Sequence, residues 1–519
     1  MDEKREGVAI KPPGPKDEML SGIARLNVLG QAPSPEALRL IPEAKARKYN
    51  AIPLSLQDDV LRVAVAEPEN ILVIEALAAI TKKRIETVTA TPEEIHEAID
   101  FNYRAFGEIA KHFGTADIAP EILLGETAAE VADNSPVAQA LNLMIEEAVK
   151  SWASDIHIEP ALDRLRVRYR IDGILHEVAS LPLSAHGTLI SRIKILATMN
   201  IADHLRPQDG QISASVKGKN IDIRVATINT VHGEMAVLRI LDQSLAVRSL
   251  PQLGLLAESM ERFQKVLMVP YGMVLSSGPT GAGKTTTLYA SLNSLDRLGR
   301  NIITLEDPVE YRFDSVNQIQ VNVRAGLTFA TGLRSILRLD PDVILVGEIR
   351  DAETAEVAIQ SALTGHLVLS SVHANDTAGV LFRLIDLGIE RFLICSSVVC
   401  VLAQRMVRCV CTHCARKITA PVVEQIAYRE VMGEECTEFL YGAGCRACTY
   451  TGYRGRTGIF EIMVLSEEIK RLLLSGASAT EIKATAIKEG MSTVVVDGMR
   501  KARAGMTTPY EVLRNAYTM

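Results

Sequence analysis

The stretch Ser276 to Leu288, SSGPTGAGKTTTL, carries residue types at a spacing that can hold a nucleotide triphosphate. Gly278, Gly283, Lys284 and Thr285 complete the pattern G-x-x-x-x-G-K-[ST]. MVLSS (273–277) reads as a buried strand before it and TTTLYASLNSLDRLG (285–299) as a helix after it. Such a loop presents unpaired backbone N–H groups at a helix N-terminus, where the dipole favours phosphate. The expected cradle is Gly278, Pro279, Thr280, Gly281, Ala282, Gly283, Lys284, Thr285 and Thr286. Lys284 would reach the β- and γ-phosphates, and the Thr285 hydroxyl would ligate magnesium. The cofactors implied are ATP and Mg2+.

Cleaving a triphosphate needs carboxylates that hold metal and position water. In DPDVILVGEIRD (340–351) the apolar run VILVG reads as a central parallel strand. Glu348 follows it, on the edge where open α/β sheets place their chemistry. ITLEDPVEYRF (303–313) reads as a strand followed by Glu306, Asp307 and Glu310 in a proline turn. These three need not face one way, and an acidic surface turn is an equal reading for any one of them. In GHLVLSSVHAND (365–376), His373 ends another buried strand. That position suits contact with phosphate or attacking water, although a lone strand-end histidine is more often a structural hydrogen-bonder.

The eight cysteines include two CxxC pairs, Cys411-Thr-His-Cys414 and Cys445-Arg-Ala-Cys448. Four thiolates suit tetrahedral Zn2+. With no open coordination position and no acid beside the pairs, a structural site is expected. The separation exceeds the usual knuckle spacing, so an inserted helical lobe is expected between the pairs. Cys395, Cys400, Cys409 and Cys436 lack partners at ligand spacing and read as core fillers. This cysteine usage suits a reducing compartment rather than a disulfide framework.

Elements that position these groups must come from several domains, since 519 residues exceed one ordinary core. Residues 1–20 read as a tail. Residues 21–103 read as a small α/β domain, with a strand in LRVAVAEP (61–68) and helical periodicity in IPEAKARKY, ILVIEALAAITKK and TPEEIHEAIDFNY. Residues 104–134 read as a linker. At Ser135-Pro136 a capped helix begins, with Val137, Leu141, Met144, Ala148 and Trp152 on one face. The segments SDIHIEP, RLRVRYRIDG, NIDIRVATI and EMAVLRIL then read as strands of a second domain, 135–245. Beyond residue 246, strand, Gly-rich turn and helix recur, which predicts a parallel sheet with helices on both faces. FLICSSVVCVLA (392–403) is too short to span a bilayer and reads as a buried helix. The N-terminus shows no secretory signal, and the working context is the cytoplasm. A net charge of −7 with 4% aromatic residues argues against a nucleic-acid groove, which wants basic walls and stacking rings.

In fixed order, the phosphate loop, acidic turn, GEIRD strand and TGHLVLSSVHAND, with the tetracysteine element, resemble the secretion ATPase superfamily of type II secretion and type IV pilus assembly. There the four are called Walker A, Asp box, Walker B and His box. ASDIHIEP, RVRYRIDG, RPQDG and VHGE resemble that family's second N-terminal domain, and residues 40–103 resemble its first. The resemblance implies a RecA-like P-loop motor preceded by two smaller α/β domains, acting as a magnesium-dependent homohexamer. It makes Glu348 the catalytic glutamate, Glu310 its helper and His373 the His-box residue. Arg206 and Arg224 match arginines that reach the phosphates when the second N-terminal domain closes on the motor. The implied partner is a polytopic inner-membrane platform protein, with the ring at the inner face of that membrane and membrane contact through partners alone. The first N-terminal domain would tether it, and the tetracysteine element marks the assembly type. Two departures exist. The N-terminal segment shows no Arg-Leu-Gly repeat of the cyclic-dinucleotide type, so that regulation is not expected. The His box reads VHAND where many relatives have Thr before Asn. A DNA-uptake or conjugation ATPase, and a nucleotide-gated scaffold with negligible turnover, are the competing readings.

Overall fold

The computed structural model describes residues 33–57, 59–99, 103, 136–216, 218–241, 249–295, 299–313, 315–448 and 451–516. The expected tail, the linker and the Ser135 cap lie outside them. The chain divides into two compact units, Met1–Ile240 and Leu241–Met519.

In the first unit, β1 (Ala51–Gln57) pairs antiparallel with β2 (Val60–Val65), which pairs parallel with β3 (Arg84–Thr89). Helices Glu43–Lys48, Ile71–Thr81 and Pro92–Ile99 accompany this sheet around a core that includes Ile52, Leu61, Val63, Leu77 and Ile95. The last helix opens as its sequence predicts. Thr91 Oγ1 accepts from the Glu94 amide, and the Glu94 carboxylate accepts from the Thr91 amide.

The same unit holds a second layer pair. Helices Pro136–Lys150 and His186–Leu196 share a core with a six-stranded sheet. Its strands are β4 (Ala153–Pro160), β5 (Arg164–Ile171), β6 (Ile174–Pro182), β7 (Gln208–Val216), β8 (Lys219–Thr230) and β9 (Gly233–Leu241), in the order β6-β5-β4-β9-β8-β7. Alternation in RLRVRYRI sends Leu165, Val167 and Tyr169 into that core and the arginines to the other face. Leu141, Met144 and Ala148 are buried as expected. Trp152 is not on their face: the helix stops at Lys150, and Trp152 lies beyond it at φ +57°, 65% exposed.

The second unit is built on β10 (Gly272–Ser277), β11 (Ile302–Glu306), β12 (Asn317–Gln320), β13 (Val343–Val346), β14 (Leu367–Val372) and β15 (Val398–Val410). A hairpin, β16 (Ala415–Thr419) with β17 (Glu438–Gly442), precedes the edge strand β18 (Tyr453–Val464). The large sheet runs β12-β11-β13-β14-β10-β15-β18, every neighbour parallel except the antiparallel pair β15–β18. Apolar clusters cover both faces, which is why VILV and LVLSSV are continuously buried.

The run 392–403 is not one helix: Arg391–Ser397 is helical, and the chain enters β15 at Val398, where Val-Val-Cys-Val favours an extended, β-branched arrangement. The helix after the phosphate loop ends at Ser294, with Leu295 extended, rather than running to residue 299. The lobe between the cysteine pairs is mixed, since helix Val422–Met432 sits between the strands of the β16–β17 hairpin.

Candidate nucleotide site and cysteine cluster

Parallel pairing decides what the sheet brings together. Ser277 is level with Val372, Leu305 with Val346, and Val346 with Ser370. The residues at or just past these strand ends therefore share one sheet edge: the loop at Gly278, Glu306 and its turn, Glu348, and His373. This is the edge at which open α/β sheets bind ligands.

The loop leads directly into helix Lys284–Ser294. Gly278 stands at φ +144°, and a Cβ there would lie 2.5 Å from the Gln404 carbonyl oxygen, so only glycine fits. Gly283 forms the helix N-cap at φ +89°. Lys284 Nζ donates to the carbonyl of Gly278 at 2.7 Å and of Pro279 at 3.3 Å, folding its ammonium over the loop. Burial lowers the Lys284 pKa; Glu348 opposes this and the Arg405 guanidinium adds to it.

Glu348, 15% exposed, is flanked by an imidazole and a guanidinium. His373 Nε2 lies 3.5 Å from its Oε2, and the Arg350 guanidinium pairs with its Oε1. The strand end that carries Glu348 is tied down. Ser371 Oγ donates to the Gly347 carbonyl at 2.9 Å, and the Ile349 amide donates to the Ser371 carbonyl at 2.9 Å. Glu306 faces inward, 3% exposed, and accepts from Thr304, Gln318 and Tyr289. Burial raises its pKa, against those hydrogen bonds. Glu306 is thus a buried anchor of the acidic turn, while Glu310 lies further along that turn, its amide donating to Tyr289 Oη at 3.3 Å.

Arg206 and Arg224 belong to the first unit. Arg206 precedes β7 and is 86% exposed, its amide donating to Asp203 Oδ1 at 3.1 Å. Arg224 lies on β8, opposite Gln211 of β7. Beneath the Arg206 loop, the buried Lys194 Nζ donates to the Asp203 carbonyl at 2.7 Å and pairs with Glu234 at 2.6 Å.

Sulfur atoms of Cys411, Cys414, Cys445 and Cys448 all lie within 4.8 Å of one another. The pairs Cys411–Cys445, Cys414–Cys448 and Cys445–Cys448 are each 3.8 Å apart. A tetrahedral zinc with Zn–S of about 2.3 Å would space its sulfurs about 3.8 Å apart, so the cluster fits that ion. The four ligands come from two turns held together by backbone bonds, Cys411 N to Gly452 O at 3.0 Å and Ala443 N to Cys414 O at 3.0 Å. Burial pushes the Cys414 thiol up to about 12. For Cys445 burial acts the same way, but backbone bonds from Cys448 and Ala447 bring it below its ordinary value.

A family model described as type II/IV secretion system protein matches residues 130–514, and one described as MshEN domain matches residues 21–108. The chain belongs to the type II/IV secretion system protein family. It is an ATPase of that family. The type IV pilus assembly ATPase PilB of Myxococcus xanthus is 41% identical over 503 residues, covering 95% of this chain and 89% of that protein. The type II secretion system protein E of Xanthomonas campestris pv. campestris is 42% identical over 499 residues, covering 94% and 87%. Among solved structures, the Legionella pneumophila ATPase DotB aligns with a TM-score of 0.54 at 21% identity, covering 72% of this chain and 94% of that chain, a likeness of fold. Among the described residues, no helix is long and apolar enough to cross a membrane.

Two residues at this candidate site carry no motif. Gln404 on β15 donates to the Ala282 carbonyl at 2.7 Å and accepts from Ser276 Oγ at 3.4 Å, strapping the phosphate loop from both ends. Arg405, 8% exposed, donates to the Asn375 carbonyl at 2.7 Å, two residues past His373. Two buried polar residues inside the apolar run of β15 were the available signal.

Proposed function

We propose that this ATPase powers assembly of type IV pili or of a type II secretion pseudopilus, as a homohexamer in which ATP-driven closure of each subunit does the work. Glu348 is the catalytic glutamate that positions the attacking water. Glu310 assists it, and His373 senses the γ-phosphate or the water. Gly278 to Thr286 cradle the phosphates, and the Thr285 hydroxyl ligates Mg2+, which neutralises the phosphate oxygens when bound. Arg206 and Arg224 deliver positive charge to the transferring phosphoryl group from residues 135–245, which ties hydrolysis to closure. Residues 246–519 are the motor, with a structural Zn2+ on the four cysteines at about 409–450. Residues 21–103 dock the ring on a polytopic inner-membrane platform protein at the cytoplasmic face. Contact with the membrane passes through that partner, and no nucleic acid is engaged directly.

The observation that supports this best is the grouping of Glu348, His373 and the Lys284 loop on one sheet edge. The test is replacement of the chromosomal copy by E348Q. The reading expects loss of surface pili or of secreted substrate at normal protein abundance. Normal assembly by E348Q would leave only a nucleotide-gated scaffold.

A further inference from the structure

The phosphate loop and the acidic turn lie on different strands, and one side chain joins them. Tyr289, five residues into the helix that follows the loop, is 1% exposed and meets the turn at four places. Its hydroxyl donates to Glu306 at the turn's start and accepts from the Glu310 amide at 3.3 Å. Its ring packs edge-on against Tyr311 at 6.1 Å and Phe313 at 5.0 Å, centroid to centroid. The far side of the turn is held by Gln318, which also donates to Glu306 at 3.3 Å. Gln318 donates to the Tyr311 carbonyl at 2.9 Å and accepts from the Phe313 amide at 2.8 Å.

We propose that Tyr289 is a positioning residue for hydrolysis: its hydroxyl fixes the backbone at Glu310 relative to the phosphate-loop helix, and so sets where the Glu310 carboxylate stands beside the γ-phosphate. The proposal rests on the reading of Glu310 as an assisting carboxylate. The physical basis is the run of hydrogen bonds Glu310 N–H to Tyr289 O–H to Glu306 carboxylate. In a buried, water-poor place each bond polarises the next. A displacement of a reacting group by about 1 Å can cost about 100-fold in rate, so a bond that fixes one has leverage over kcat. Tyr289 is buried between the helix and the turn, with its hydroxyl committed to Glu306 and the Glu310 amide, so its effect belongs in kcat and not in affinity.

The experiment compares wild type, Y289F, E310Q and the double variant by steady-state ATPase rates, with binding of a fluorescent ADP measured alongside. Y289F keeps the ring contacts and removes only the hydroxyl. Its kcat is expected to fall about 5- to 100-fold, with KM for ATP and ADP affinity within about 3-fold of wild type. In the E310Q background the same change should cost less than about 2-fold, because its effect passes through Glu310. A wild-type kcat for Y289F beside a slow E310Q overturns the proposal alone. An undiminished loss in the double variant also overturns it, as does parallel loss of ADP binding, which would mark a packing role. E310Q at the wild-type rate removes the Glu310 reading itself, and the proposal with it.

Discussion

His373 Nε2 stands 3.5 Å from Glu348 Oε2, although the two residues follow different strands and lie 25 positions apart in sequence. Register explains the meeting: Val346 of β13 is level with Ser370 of β14, so both strands run out on the same edge. The contact leaves His373 more than half exposed, facing outward from a carboxylate that is largely covered. A histidine so placed can reach a ligand and report its presence to Glu348.

Replacing His373 by alanine should therefore lower kcat by about 10- to 100-fold while ADP affinity changes less than about 3-fold. Steady-state ATPase assays with equilibrium nucleotide binding check this. Equal losses in both would place His373 in ground-state binding instead.

The four cysteines should hold one zinc per chain, measured by atomic emission on protein purified without added metal. Because ligation requires thiolates, zinc uptake releases protons and weakens on acidification, the more so with Cys414 pushed up to about 12. Chelation or C445S should loosen the lobe made by β16, β17 and helix Val422–Met432, read as faster amide exchange there. Unchanged exchange after complete metal removal would contradict a structural role.

Arg408 and Glu511 give a pH prediction. Arg408 Nη2 lies 2.6 Å from Glu511 Oε1, and the Arg408 amide donates to Oε2 at 3.1 Å, with Glu511 1% exposed. Burial raises the Glu511 pKa, but the Arg408 contacts outweigh it, and the folded value lies below the ordinary 4.5. A depressed carboxylate contributes stability that is present above its unfolded pKa and lost as pH falls through the folded one. E511Q should thus melt lower than wild type at pH 7, by about 3 kcal/mol for a broken buried pair. The difference should shrink below pH 4.5. Denaturant melts at pH 7 and in the acid range measure it; a gap independent of pH would contradict the assignment.

What the sequence made legible follows from distance along the chain. The phosphate loop was readable because all its parts are contiguous: Gly278 must adopt a positive φ, and Lys284 begins the helix. Glu348 and His373 were readable as strand-end residues, since burial on both faces leaves long apolar runs with polar ends. Gln404 and Tyr289 were not, because their partners are brought in by sheet order: Gln404 meets Ala282 across 122 positions. The misreading of residues 392–403 has a local cause. An apolar run carries no period that tells a buried helix from a buried strand, and here one run contains both. Spacing alone puts Trp152 on the helical face, whereas the chain leaves the helix at Ser151.

The claim on which the account depends is that Glu348 drives cleavage of a bound triphosphate while contributing little to holding it. The direct measurement is the fate of γ-labelled ATP on purified E348Q with magnesium. The variant should retain intact ATP on its subunits and release phosphate at least about 100-fold more slowly than wild type. Phosphate release by E348Q at the wild-type rate would contradict that claim.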